Sequence, residues 1–120
     1  MSATSWNSEL PSGRNPFWIK DEALARLGLH TGDAVSVDTR TEPADGDLAL
    51  VEIETDELTD RLVRRYFVEA DGAVRLAAAN SEFPELRPQP DQMMVLGVVR
   101  SRVRFEATAA EAVRVIEEPI

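Results

Sequence analysis

The sequence DEALARLGLHTGD at residues 21–33 runs directly into AVSVD at residues 34–38, and the two stretches have different periodicities. In the first, Leu24 and Leu27 have the spacing of a helical turn, and Gly28 follows where a left-handed residue commonly ends one. In the second, Ala34, Ser36 and Asp38 alternate with Val35 and Val37, as in a half-buried strand. We therefore predict a short helical turn followed by a strand.

Further strands are predicted on both sides of this stretch. Apolar or alternating runs lie between turn signals such as Asp45-Gly46 and Asp71-Gly72, which favours strands joined by short connections. The predicted strands are residues 15–20, 48–53, 58–68, 73–78 and 93–105, with the run at 48–53 in a central position. Three prolines make residues 80–91 a loop. The pattern predicts a mainly β domain with coiled sheets.

The two ends of the chain are predicted to differ from this domain. The start combines Ser, Asn, Gly and Pro without periodicity, which is typical of a loose arm. Near the other end, Ala110, Val113 and Ile116 fall on one side of an amphipathic helix predicted for residues 107–115. The predicted division is an arm at 1–14, a domain at 15–106 and a C-terminal helix and tail at 107–120.

Composition excludes several classes of protein. Of the 120 residues, 43% are hydrophobic and 29% charged, which is typical of a soluble globular domain and not of a membrane-spanning chain. The absence of cysteine excludes disulfides and thiolate-bound zinc. Because the formal charge is −9, we expect no direct binding of nucleic acid. No export signal is recognisable, so a cytoplasmic location is expected.

Four stretches carry motifs in a fixed order. Residues 21–33 place Gly28, Leu29, Gly32 and Asp33 at set intervals, and three later stretches follow: VRRY at 63–66, ANSEF at 79–83 and VLGVVR at 95–100. Together they resemble the LexA/UmuD-type self-cleaving serine peptidases. The nucleophile segment of those proteins is typically G-D-S-M-x-P-x-G-I-x-x-G-D, and V-K-R-L, a P-E-N-S-E-F turn and a closing strand come later. The resemblance covers roughly residues 17–105.

This resemblance implies both a fold and a site. The fold is of the LexA/signal-peptidase type, with coiled β-sheets, a barrel-like centre and short helices. Ala23 stands where these peptidases have their nucleophilic serine. Arg64, or Arg65 if the hairpin at 70–72 is one residue shorter, stands in place of the lysine that takes the serine's proton. Since alanine has no hydroxyl and a guanidinium stays protonated in proteins, we expect no enzymatic activity.

Other side chains are weaker candidates for chemistry. Ser36, Ser81 and Ser101 are alternative nucleophiles, but their places in strands or a turn favour structural roles. Lys20, the only lysine, is expected to be a solvated charge, and a lone histidine, His30, is a poor metal site. The acidic run is interpreted as a solvated face rather than a cation site, so we expect no metal and no cofactor. It consists of Glu52, Glu54, Asp56 and Glu57.

The basic cluster and the two tryptophans have structural interpretations. Arg61, Arg64 and Arg65 are expected to pair with the acidic run across the sheet; the alternative is a small binding patch for an anion or a partner. Trp18 is predicted to lie in the core. Trp6, in the arm, has no assigned role.

The last long strand, at residues 93–105, is predicted to form a homodimer. Its apolar, alternating pattern suggests an edge that pairs with a second copy, with Gly97 permitting close approach. The predicted interface residues are Val95, Gly97, Val98 and Val99. The alternative is that this strand is central within its own chain.

Three hypotheses for function follow. The first is a catalytically inactive LexA-like domain that acts through protein association, with an unidentified protein partner, in the regulation of transcription or of a stress response. The second is a hydrolase with a displaced serine nucleophile. The third is a sensor of a small anion or ligand that uses the cluster Arg61, Arg64 and Arg65.

Overall fold

The computed structural model describes residues 13–108 and 113–120, and strands dominate it. The strands are β1 Arg14–Trp18, β2 Ala34–Asp38, β3 Leu48–Glu54, β4 Thr59–Val68, β5 Val74–Ala77, β6 Met93–Ala107 and β7 Val113–Glu118. Two single-turn 3-10 helices, Ala25–Leu27 and Pro90–Gln92, complete the elements. The predicted mainly β class is confirmed. Within the described ranges, no helix is long and apolar enough to cross a membrane.

The seven described strands form one antiparallel sheet with β6 near its middle. The order is β1-β2-β6-β3-β4-β5, and β7 also pairs with β6. Along one edge of β6, β3 pairs with residues 93–98 and β7 with residues 102–107, while β2 pairs with residues 98–103 along the other edge. The outer strands β1 and β5 are not neighbours in this order, so the sheet is open. The expected barrel-like centre is therefore not present in the described part of the chain.

Strand β3 is buried on both faces. Its alternation sends Leu48 and Leu50 into the larger core, which includes Val35 and Val37, and sends Ala49 and Val51 into a second cluster around Leu76. A strand covered on both sides has an apolar run in place of strict alternation. The predicted central position of residues 48–53 is confirmed.

The helix predicted for residues 107–115 is wrong where the structure describes it. Ala107 ends β6, and Val113–Glu118 forms β7, which pairs antiparallel with β6. Val113, Val115 and Ile116 are β-branched and favour a strand, and Val115 is buried against Ala34 and Val103. Ala110 lies outside the described residues.

Trp18 is not a core residue. It lies at the end of the outer strand β1, is 46% exposed, and stacks on Phe105 with ring centroids 6.0 Å apart. An outer strand has a neighbour on one side only, which leaves a large side chain partly in solvent. Trp6 and the rest of residues 1–12 lie outside the described part of the chain.

Candidate functional site

The turn that contains Ala23 has the predicted form. The Asp21 carboxylate accepts a hydrogen bond from the Ala23 N–H at 3.0 Å, and the 3-10 helix Ala25–Leu27 follows. Gly28 ends the helix with φ of 80°, a left-handed conformation that glycine adopts without steric cost. The turn leaves Ala23 with no exposed surface.

Arg64 of β4 reaches the same turn. Its guanidinium lies 3.2 Å from Asp21 Oδ2, donates to the Val63 carbonyl at 2.9 Å, and lies over the Phe83 ring at 5.7 Å from the centroid. Only 5% of Arg64 is exposed. The Asp21 carboxylate contacts both Ala23 and Arg64, so the structure brings together the two positions that the resemblance assigns to the nucleophile and the base.

Arg64 and Arg65 have different surroundings, and Arg64 is the one that faces the turn at Ala23. Consecutive residues of a strand point to opposite faces of the sheet, so the two side chains cannot both face Ala23. Arg65 donates to the Gly46 carbonyl at 2.8 Å instead. Of the alternatives left open by the sequence, only Arg64 shares a partner with Ala23.

A second motif closes over this turn. The Ala79 N–H donates to the Ala23 carbonyl at 2.6 Å, and the Asn80 side chain donates to the Glu22 carbonyl at 2.8 Å. The Arg26 N–H donates in return to the Ala79 carbonyl at 2.9 Å. Together with Phe83 over Arg64, these contacts join the three motif segments 21–33, 63–66 and 79–83 at one place.

A small cavity lies beside Asp21. Its volume is about 10 Å³, which is room for about one water molecule. It is lined by Phe17, Ile19, Lys20, Asp21, Leu24, Arg61, Leu62 and Val63. The groups at the site are a methyl, a paired carboxylate and a guanidinium. They supply no hydroxyl nucleophile and no base that accepts a proton near neutral pH.

Lys20 and His30 are both engaged with carboxylates at the surface. Lys20 forms an ion pair with Asp60, and this hydrogen bond lowers the pKa of the Asp60 carboxyl. The His30 ring lies 2.8 Å from the Glu22 carboxylate. This contact and the Thr31 N–H lower the pKa of Glu22 to about 2. Among the described residues, no group of three or more His, Cys, Asp or Glu side chains is placed to hold a metal ion.

The three clustered arginines do not form one exposed patch. Arg61 pairs with Glu52 across β3 and β4 at 3.1 Å, as predicted. Arg64 is buried against Asp21 and not against the acidic run, while Arg65 bonds a backbone carbonyl. Each arginine thus has a partner within the chain, and Arg64 lies on the opposite face of the sheet from Arg61 and Arg65.

The predicted dimer residues lie mostly inside the chain. Val98 and Val99 are buried, and Val95 packs against the cluster around Leu76. A Cβ on Gly97 would lie 2.5 Å from Val37 Cγ1, so the close approach that glycine permits is to the chain's own β2. The structure agrees with the alternative prediction, in which this strand is central within its own sheet. The oligomeric state itself stays a prediction.

The alternative serines have different surroundings. Ser81 is exposed in the turn that follows Asn80. Ser36 and Ser101 are buried side by side on β2 and β6, and both hydroxyls contact Glu117 of β7. Glu117 is not among the sequence-based candidates, because the segment before it, residues 107–115, is predicted to be helical. Alternation of Val113, Val115 and Glu117 on a strand was the signal that could have found it.

Comparison with protein families agrees with this geometry. The family model described as Peptidase S24-like matches residues 5–100, which is most of the chain. The chain belongs to the Peptidase S24-like family. All the motif segments that meet around Ala23 lie in the matched region of this S24-like chain, and the match supports the resemblance to LexA/UmuD-type proteins. None of the curated proteins compared with the chain matches it.

Proposed function

We propose that this S24-like chain is a catalytically inactive peptidase-type domain that acts by binding another protein. The observation that carries the proposal is the arrangement of Ala23, Asp21 and Arg64. The position that the resemblance assigns to the nucleophile holds a buried methyl, and the position that it assigns to the base holds a buried, ion-paired guanidinium.

The chemistry of these groups supports inactivity. A serine nucleophile needs a partner that accepts its proton, and a lysine does so when burial lowers its pKa. Arginine holds its proton under all ordinary conditions in proteins, so Arg64 cannot replace that lysine. Lys20 is bound to Asp60 at the surface, and position 23 offers no hydroxyl for it to activate.

The proposed regulatory role rests on the proposed lack of catalytic activity. A folded domain without a nucleophile acts through what it binds, and we propose a homodimer that contacts a protein partner. The regulation of transcription or of a stress response is the setting that the resemblance to LexA/UmuD-type proteins suggests. The fold alone does not fix this setting, because one fold hosts many functions.

Incubation at alkaline pH tests the proposal. Family members that cut themselves do so as their lysine loses its proton, so the purified chain is expected to keep its full mass under these conditions. The variant Ala23→Ser with Arg64→Lys restores both side chains and is expected to cleave an added peptide weakly at most. A shorter fragment of the unaltered chain, with contaminating protease excluded, would contradict the proposal.

The second candidate is a hydrolase with a displaced serine. The observation in its favour is the 2.5 Å hydrogen bond from Ser101 Oγ to the Glu117 carboxylate. Both Ser36 and Ser101 are buried, however, and the carboxylate also binds Arg14. A covalent serine probe separates this candidate from the inactive domain.

A further inference from the structure

Four polar side chains from four strands meet on one face of the sheet. Ser36 of β2 is fully buried, Ser101 of β6 is nearly so, and their Oγ atoms lie 2.7 Å apart. Oε1 of Glu117 in β7 accepts from Ser36 at 2.9 Å and from Ser101 at 2.5 Å. Arg14 of β1 donates to the same oxygen at 2.7 Å. The carboxylate of the C-terminal strand is thus bound by groups from each of the other three strands.

The two serine hydroxyls need this carboxylate. Each serine hydroxyl has one proton to donate, and an ionised carboxylate only accepts hydrogen bonds. If one serine donates to the other, the second serine still needs an acceptor, and the Glu117 carboxylate provides it. Without it, the serines could still bond each other, but one buried hydroxyl would have no acceptor. Leaving a buried polar group unsatisfied is unfavourable, which makes the identity of residue 117 important.

Apolar contacts alone do not fix the register of β7. The side chains of β7 on this face are Val113, Val115 and Glu117, which lie opposite Ala107, Phe105 and Val103. A slip by two residues keeps every side chain on its face. In one direction it places Pro119 where Glu117 now lies and Glu117 where the buried Val115 lies, which the apolar contacts oppose. In the other direction it places Val115 where Glu117 now lies and Val113 where Val115 lies. Valine in place of valine changes the apolar contacts little. Neither Val115 nor Pro119 has a side-chain acceptor for the serines.

We propose that Arg14, Ser36 and Ser101 form a carboxylate-recognition site that binds Glu117 and fixes the register of β7 on β6. Buried polar groups specify register in other systems, at a cost in stability. This role is independent of whether the chain is a peptidase or a binding domain.

Disulfide trapping tests the proposal, because the chain has no cysteine of its own. Arg104 lies opposite Ile116, so the pair Arg104→Cys with Ile116→Cys reports the observed register. The pair Arg104→Cys with Arg114→Cys reports a slip by two residues. In the observed register the second pair is diagonal, at a separation that a disulfide does not span without backbone movement. Oxidation rates of the two pairs in the full chain are then compared.

With Glu117 present, the first pair is expected to oxidise at least about tenfold faster than the second, since one unsatisfied buried hydroxyl is worth roughly one factor of ten. In Glu117→Leu the ratio is expected to fall towards one, and in Glu117→Gln, whose amide oxygen still accepts, it should stay high. Glu118→Leu, on the other face of β7, is the matched control and should also keep the ratio high.

Two results would overturn the proposal. One is a tenfold ratio that persists in Glu117→Leu. If Glu117→Leu does not fold by circular dichroism, the double variant Ser36→Ala with Ser101→Ala decides instead. This double variant removes the two hydroxyls. The second overturning result is that its ratio of oxidation rates equals that of the chain with both serines, because the site then does not set the register.

Discussion

Arg64 is a charged residue with almost no exposed surface. A buried guanidinium is tolerated in a folded protein only when an anion balances its charge and acceptors bind its N–H groups. Arg64 forms an ion pair with Asp21, donates a hydrogen bond to the Val63 carbonyl and lies over the Phe83 ring, and these contacts satisfy most of its charge and donors. From the sequence, the resemblance assigns Ala23 to the nucleophile position and Arg64 or Arg65 to the lysine position. The Asp21–Arg64 pair could not be predicted, because it joins residues 43 positions apart and depends on the folded path of the chain.

Arg64→Ala is expected to destabilise the fold by about 2 to 3 kcal/mol, because it leaves the Asp21 carboxylate without its cation and opens space under Phe83. Arg61→Ala is the matched control: it removes an exposed pair with Glu52 on the same strand and should cost about 0 to 1 kcal/mol. Urea unfolding of both variants measures the difference. Equal losses for the two variants would show that the buried pair has no special role.

Glu22 gives a pH dependence of known sign. Its pKa in the folded chain is about 2, below the ordinary value of 4.5, because the His30 ring and the Thr31 N–H bind the ionised form. The stability that it contributes is therefore complete above pH 4.5 and is lost as the pH falls towards 2.

We expect Glu22→Gln to be less stable than the unaltered chain at neutral pH, and this difference to shrink as the pH falls from about 5 towards 2. Urea unfolding at several pH values measures the difference, and carbon-detected NMR gives the Glu22 midpoint directly. A midpoint near 4.5 would contradict the hydrogen bonds seen here.

At the scale of elements, β6 organises the molecule by pairing with three strands. The turn at Gly28 and the strands β2 to β6 were predicted to within about two residues, because alternation and turn signals are local properties of the chain. β7 was mistaken for a helix, since the apolar residues of a short segment can satisfy both periods. Pairing order is not a local property of the chain, so the sequence does not decide between an edge and a central place for β6.

Gly97→Ala tests how closely β6 and β2 pack. A Cβ at this position would lie 2.5 Å from Val37 Cγ1 and 2.7 Å from the Asp38 carbonyl oxygen, and backbone cannot easily move away. We expect a loss of about 1 to 3 kcal/mol in the free energy of unfolding.

Combining Gly97→Ala with Val37→Ala removes one of the two clashes. The double variant should be less destabilised than the sum of the single variants, which a double-mutant cycle measures by urea unfolding. If the two changes in the free energy of unfolding were strictly additive, the Cβ at position 97 and the Val37 side chain would not be in the steric conflict described.

At the scale of the whole molecule, the open sheet leaves β6 with few places to meet a second copy. Among the described strands, Val99 and Ser101 pair with β2 alone, but both are buried. Residues 93–97 pair with β3 alone. Met94, in this part of β6, is 58% exposed. If the proposed dimer forms through β6, it forms here, and the buried Val99 is unsuitable for testing it.

We expect sedimentation to give twice the chain mass of 13.3 kDa at micromolar protein. Such an interface should bury on the order of 1,200 Å² in total. Met94→Lys is expected to shift the equilibrium towards monomer while the fold, followed by circular dichroism, is retained. A mass of 13.3 kDa that does not change with concentration would rule out the dimer.

The absence of a working nucleophile is the central claim, and labelling with a fluorophosphonate probe tests it most directly. The purified chain is incubated with excess probe, and its intact mass is measured beside that of an active serine hydrolase treated in the same way. The mass of the chain is expected to stay unchanged while the reference enzyme gains one probe. A stoichiometric gain in mass, located by peptide mapping at Ser36, Ser81, Ser101 or any other serine, would contradict the account.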